Sequence, residues 1–292
     1  MAIHLAWCLR HKKTVDAMVP LYCNGKTIPN KPYLIKHLGR FLPVLGAALK
    51  PYGKARPQDV FAWAGGRVPR QYQRSIRPLV WAAGRNPHKN GYHHDWHNIT
   101  VMVFAAVLAS LMPRQHRLSK DDQFTLLLAA MVHDLDHRGR AMAAKPYDEE
   151  VRSAMIAGRR LFGKTGHGQA WQQLLTMINQ TSFHVLSVDA SKDHLSALLK
   201  DADLLGSVVF PHHLSKAMTL GLKQEQKLAL PSDKILSQFM ENLSKRGLSS
   251  PEGYKVLTLA NPKSSAFHQY PQYAKDLITN SISNLGSVEH RS

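Results

Sequence analysis

Two largely apolar stretches, Val101–Met112 and Phe124–Val132, each adjoin a dense group of histidines and aspartates. Segments this apolar must be buried. The second runs without a break into His133-Asp134-Leu135-Asp136-His137-Arg138-Gly139. Side chains of metal-ligand type are thus carried to the edge of a core rather than into an exposed loop. The other group, Tyr92-His93-His94-Asp95-Trp96-His97, leads into the first stretch. This coupling asks for a fold in which buried helices begin and end at polar sites.

Helical periodicity dominates from Tyr92 onward, and strand-like alternation is almost absent. A buried helix is expected from His97 to Met112, stopped by Pro113. Ser119 with Asp122 makes a capping-box-like start for a second helix that ends at His133. Residues 148–161 open on acids and close on Arg159 and Arg160, as the helix dipole favours. Further helices are expected over 169–185, from a Ser191 cap to Val209, and from Ser232 to Arg246 with Gly247 as the stop. Residues 248–292 are polar and look loosely packed apart from one short helix near 273–284. The fold class expected is all-α, with three regions: a basic, proline-punctuated N-terminal helical segment (1–85), a catalytic bundle (86–250) and a C-terminal extension (251–292).

Charge separates the first region from the rest. Residues 1–90 hold 16 Lys or Arg against Asp16 and Asp59, which is +14 of the net +18; residues 91–292 hold 22 against 18. Such a surface attracts anions, and nucleic acid is a possible partner through residues 1–90. A solvated basic face explains the same composition equally well, and no named nucleic-acid motif is present. Cys8 and Cys23 are the two cysteines, too few for a disulfide framework or a Cys-rich zinc module. The longest apolar run falls short of the ~20 residues a membrane helix needs. The first residues, MAIHLAWCLRHKK, place charge after the apolar stretch, the reverse of a secretory leader. A cytoplasmic location is expected.

Divalent cations are bound by neutral imidazoles and carboxylates. His93 and His97 are spaced to share one face of a helix. His133 and Asp134, adjacent at a helix end, can reach one ion together, and Asp203 in Asp201-Ala202-Asp203-Leu204 can close the set. His97, His133, Asp134 and Asp203 would then offer two nitrogens and two oxygens. The second oxygen of Asp134 could bridge to another ion, and two ions ~3.5–4 Å apart can clamp a phosphoryl group. A lone buried His–Asp pair is usually structural. The crowding of five His and three Asp into two short segments beside apolar helices favours a metal.

The pattern resembles a family. His133-Asp134, with an upstream His and a downstream Asp, is similar to the HD superfamily of metal-dependent phosphohydrolases. More narrowly, Tyr92-His93-x-x-x-His97 followed by His133-Asp134-x-Asp136-His137-x-Gly139 resembles class I 3′,5′-cyclic nucleotide phosphodiesterases. The resemblance covers residues 90–140 and, more loosely, continues to about 210. It implies a helical HD-type domain with two divalent ions, zinc plus magnesium or manganese. His97, His133, Asp134 and Asp203 would hold the first, and Asp134 would bridge to the second. It further implies His93 as the general acid for the departing 3′ oxygen, and His137 as a group bonding the nucleophilic water or a phosphate oxygen. Arg138 is a candidate contact to further phosphates, His184 a candidate site-lining residue, and Gln238 with Phe239 a candidate purine clamp. Trp96, His94 and Asp136 also lie within the motifs, as local packing or helix-orienting groups rather than direct participants, and His94 replaces the family's Asn. The expected function is hydrolysis of a 3′,5′-cyclic nucleotide to a 5′-nucleotide. One alternative is an HD-type nucleotidase or nucleotide polyphosphate hydrolase. Another is a nucleic-acid-associated protein with a secondary or vestigial HD site.

Overall fold

The computed structural model describes residues 82–83, 87–88, 90–93, 95–112, 114–116, 118–139, 147–162, 168–182, 185, 188–190, 192–209, 212–259 and 269–277. The expected basic N-terminal segment, and with it the nucleic-acid contact proposed for residues 1–90, falls almost wholly outside them. So do His94 and His184. Among the described residues the secondary structure is helical without strands, which agrees with the all-α expectation.

Among the described residues these α-helices follow in order: α1 (Asp95–Leu111), α2 (Lys120–Val132), α3 (Asp148–Phe162), α4 (Gln169–Thr181), α5 (His194–Val209), α6 (His212–Gln226), α7 (Ser232–Arg246) and α8 (Pro251–Leu259). A 3₁₀ turn, Arg114–His116, links α1 to α2. Helix α5 is the spine. It packs on α1, α2, α4, α6 and α8, and nearly its whole length is buried, from Leu195 to Val209. A helix apolar on most sides must lie inside a bundle rather than on its surface. Helix α1 meets the same condition: Val101, Ala105 and Leu108 are wholly inaccessible, packed against α2, α5 and α8.

Local signals fix most helix ends. Ser119 Oγ accepts from Asp122 N at 3.1 Å, and Asp121 and Asp122 occupy the first turn of α2. Gly247 ends α7 with φ +76°, donating its N–H to Leu243 O at 2.8 Å. Helix α3 lies so close to α4 that a Cβ at Gly158 would sit 1.5 Å from Trp171 Nε1. No side chain larger than hydrogen fits there.

Three boundaries differ from expectation. Helix α4 ends at Thr181, not near 185, because buried Lys200 on α5 reaches across and binds Gln180 O and Ser182 O, each at 3.1 Å. The end carbonyls are thereby satisfied by a cation from another helix, a long-range event. The cap of α5 is Asp193, whose Oδ1 accepts from Ser196 N at 3.0 Å; the expected cap, Ser191, lies outside the described residues. The loose packing expected beyond 248 does not hold for residues 251–259. Helix α8 packs on α5 and α1 and buries Val256 and Leu257, while Ser250 Oγ accepts Gly253 N at 3.1 Å to cap its start. A helical stretch at 271–277 buries Ala274 and Leu277 against the same core, inside the expected 273–284 at its start. No helix of the described residues is long and apolar enough to cross a membrane.

Candidate active site

Three elements of α1, α2 and α5 bring the four expected ligands together. His97 stands in the first turn of α1, His133 and Asp134 in the turn that leaves α2, and Asp203 midway along α5. His97 Nε2 lies 3.1 Å from Asp134 Oδ2 and 3.1 Å from Asp203 Oδ1. His133 Nε2 lies 3.2 Å from Asp134 Oδ2, 3.7 Å from Asp203 Oδ1 and 3.3 Å from His97 Nε2. Both histidines are buried, while Asp134 and Asp203 retain 11% and 20% exposure, so the group opens to solvent on its carboxylate side.

This donor set fits a cation. Ligand atoms placed tetrahedrally at about 2.1 Å from an ion are about 3.4 Å apart; His97, His133 and Asp134 meet that spacing among themselves, while Asp203 lies 3.1 Å from His97 and 3.7 Å from His133. His133 Nδ1 donates to Ala130 O at 2.9 Å, which leaves Nε2 as the lone pair facing the group. Two imidazole nitrogens and two carboxylates converging inside a core need positive charge between them. The same demand appears in the titration of the residues themselves. Burial resists protonation of His133, yet the Asp134 and Asp203 carboxylates draw its pKa well above the ordinary imidazole value. Burial resists ionisation of Asp134 and Asp203 too, but the histidines hold Asp134 well below the usual carboxylate range, and Asp203 is lowered likewise.

The α2 exit turn is anchored to α3. Asp136, at φ +61°, takes His88 Nε2 at 3.0 Å on one oxygen and Arg152 on the other. Ser153 Oγ donates to Leu135 O at 3.0 Å. The orienting role expected of Asp136 matches these bonds.

A second cluster adjoins the first. The rings of His93 and His137 stack with centroids 3.8 Å apart and 19° between planes. Glu225, near the end of α6, closes it: Oε1 meets His93 Nδ1 at 2.5 Å, and Oε2 accepts Tyr92 N at 2.9 Å and His93 N at 3.0 Å. Burial alone would lower the pKa of His93, but Glu225, with Asp134 and Asp203 behind it, raises it to about 9. Burial works against Glu225 in the same way, yet His93 lowers it to about 2. His137 goes the other way: burial first, and the charge of His93 second, push it down to about 3. Its Nδ1 accepts Gly139 N–H at 3.0 Å, so the neutral ring carries its proton on Nε2. The pair is therefore one cation stacked on one neutral donor.

The remaining expected residues lie differently. Arg138 is not poised for a phosphate, because Nη2 holds Asp148 Oδ2 at 2.7 Å and Nε holds Glu149 Oε1 at 2.8 Å. Two carboxylates at the start of α3, where the dipole already gathers acids, satisfy its guanidinium. Gln238 is exposed on α7, and Phe239 packs half-buried against the core. Glu225 was not singled out in the sequence. It sits in a polar Lys-Gln-Glu-Gln helix end that reads as solvated surface, and only the return of α6 to the 90–93 loop makes it part of the site.

Comparison with known families agrees with the motifs. A family model described as 3′5′-cyclic nucleotide phosphodiesterase matches residues 92–143, a stretch that contains α1, α2 and both His-rich segments. Over that stretch the chain is similar to cyclic nucleotide phosphodiesterases, metal-dependent hydrolases of HD type.

Proposed function

We propose that this protein hydrolyses 3′,5′-cyclic nucleotides to 5′-nucleotides, with two divalent ions at the four-ligand group and His93 as the general acid. The observation that carries the reading is the adjacency of two unlike clusters within and beside the matched segment: a cation-hungry donor set, and an imidazolium held by a carboxylate. His97, His133, Asp134 and Asp203 would hold one ion. Both contacts of Asp134 within the group use Oδ2, which leaves Oδ1 for a second. Bound ions would supply activation of the attacking water and neutralisation of phosphate charge, a contribution of several kcal/mol.

The chain's own part is proton delivery and orientation. Hydrolysis joins a water oxygen to phosphorus and breaks the bond to O3′, which leaves as an alkoxide unless protonated. His93 binds Glu225 through Nδ1, so the proton it gives is the one on Nε2. A positioned acid of this kind adds about 10²–10⁴-fold in rate. Glu225 keeps the ring charged and fixes its tautomer and rotation. His137, neutral and protonated on Nε2, can donate to the water or to a phosphate oxygen.

Engagement of Arg138 by Asp148 and Glu149 speaks against its use on further phosphates and so favours the cyclic substrate over a nucleotide polyphosphate. The deciding experiment presents the full chain, loaded with zinc and with magnesium or manganese, with cyclic nucleotides and with nucleoside triphosphates. Turnover of cyclic nucleotide that is abolished by a chelator is expected. Turnover of the triphosphates alone would overturn the reading in favour of a polyphosphate hydrolase.

A further inference from the structure

Between the two His-rich segments lies a buried amide that neither motif includes. Asn90, 4% exposed, donates from Nδ2 to His93 O at 3.0 Å and to His137 O at 2.7 Å. A side-chain amide has two N–H hydrogens in one plane, so it can serve two carbonyls at once. Here those carbonyls belong to the two residues whose rings stack at 3.8 Å. The amide is enclosed on its other side. A Cβ at Gly139 would come within 2.6 Å of Asn90 Oδ1 and 2.8 Å of Glu225 Cγ, and Gly139 has φ +66°. Gly91, next along the loop, lies against α6 so closely that a Cβ would meet Gly221 O at 2.7 Å. The loop, the turn after α2 and the end of α6 thus meet with no room for slippage, and Asn90 bonds the first to the second.

We infer that Asn90 is a positioning residue: by bonding His93 O and His137 O together it sets the spacing of the stacked imidazoles and so aims the general acid. The inference rests on the phosphodiesterase reading and adds to it a residue outside both motifs. Asn90 touches no reacting atom. Its removal leaves the four metal-ligand side chains untouched and frees two backbone carbonyls whose displacement rotates the His93 ring. A shift of about 1 Å at a reacting group can cost about 10²-fold.

The test compares two substrates on the metal-loaded full chain. Cyclic AMP departs as a strongly basic alkoxide and needs the acid, whereas bis(p-nitrophenyl) phosphate departs as a stable phenolate and does not. In Asn90→Ala, kcat on cyclic AMP falls about 10–100-fold, with KM and metal content unchanged and the rate on the activated diester preserved. Asn90→Ser, which keeps one donor, falls between. The ratio of the two rates does not depend on how much of a variant folds. In the metal-free protein, the imidazole proton shifts of His93 and His137, displaced by their mutual ring currents, move when Asn90 is replaced. Equal loss on both substrates, no loss on either, or unmoved imidazole shifts overturns the inference. A wild-type chain inert to both diesters overturns the phosphodiesterase reading itself, and the role of Asn90 with it.

Discussion

The four-ligand group and the His93–His137–Glu225 group lie side by side and are built on opposite plans. Secondary structure supplies the first: His97 on α1, the His133–Asp134 corner of α2 and Asp203 on α5, all on helices sealed by a common core. Chain excursions supply the second: a loop at 90–93, a turn at 137–139 and the far end of α6. The first group gathers negative charge around buried imidazoles and so calls for a cation. The second makes its own cation, with Glu225 keeping His93 protonated up to about pH 9. Rigid helices hold what must not move. Loops tied at several points hold what must be aimed.

If labour is divided in this way, substitutions in the two groups separate. The largest effect belongs to His133→Ala, which removes a buried ligand. Bound metal is lost, and turnover falls by more than about 10³-fold on cyclic and activated diesters alike, since several kcal/mol of ion chemistry disappears. Elemental analysis with parallel rates checks this, and a variant retaining both would erase the distinction. Next comes His93→Ala: metal stays bound, cyclic nucleotide turnover falls about 10²–10⁴-fold, and the activated diester is spared.

Glu225→Gln sharpens the comparison through pH. On the proposed reading activity needs the imidazolium, so it should persist below the pKa of His93 and be lost as pH rises through it. With Glu225 in place the His93 imidazolium is held above its ordinary range; without that charge the limb moves down. A pH–kcat profile with an unmoved alkaline limb would show that the carboxylate does not govern the acid.

The smallest effect is structural. Buried Asp201, two residues before Asp203, accepts Ser249 N and Ser250 N at 2.7 Å each and Ser250 Oγ at 2.6 Å, tying α5 to the head of α8. Asp201→Asn faces those N–H groups with an amide and costs about 1–3 kcal/mol. Thermal unfolding should register the loss, with the selectivity between the two diesters unchanged.

Legibility in the sequence followed the same division. Helices α1, α2, α3 and α7 could be read almost to the residue, because apolar periodicity, Ser119, the acids before Val151 and Gly247 are local signals. The convergence of His97, His133, Asp134 and Asp203 was legible because two lie in adjacent positions and the others sit where apolar helices begin or continue. Lys200 could not be read as the cap of α4, nor Glu225 as the partner of His93, because each acts across more than a helix length of intervening chain. Residues 251–259 looked peripheral from composition, yet buried Asp201 gives their first turn a partner in the core. Arg138 looked like a phosphate contact for the opposite reason: its carboxylate partners lie ten and eleven residues on, beyond the reach of a motif reading.

The most direct test follows the product. With the metal-loaded chain in ¹⁸O-enriched water, ³¹P NMR of the cyclic AMP reaction should show a 5′-monophosphate carrying one ¹⁸O on phosphorus, with no signal in the presence of chelator or with His133→Ala. A 3′-monophosphate, or hydrolysis that proceeds equally with chelator present, would contradict a metal-dependent cleavage at O3′ assisted by His93.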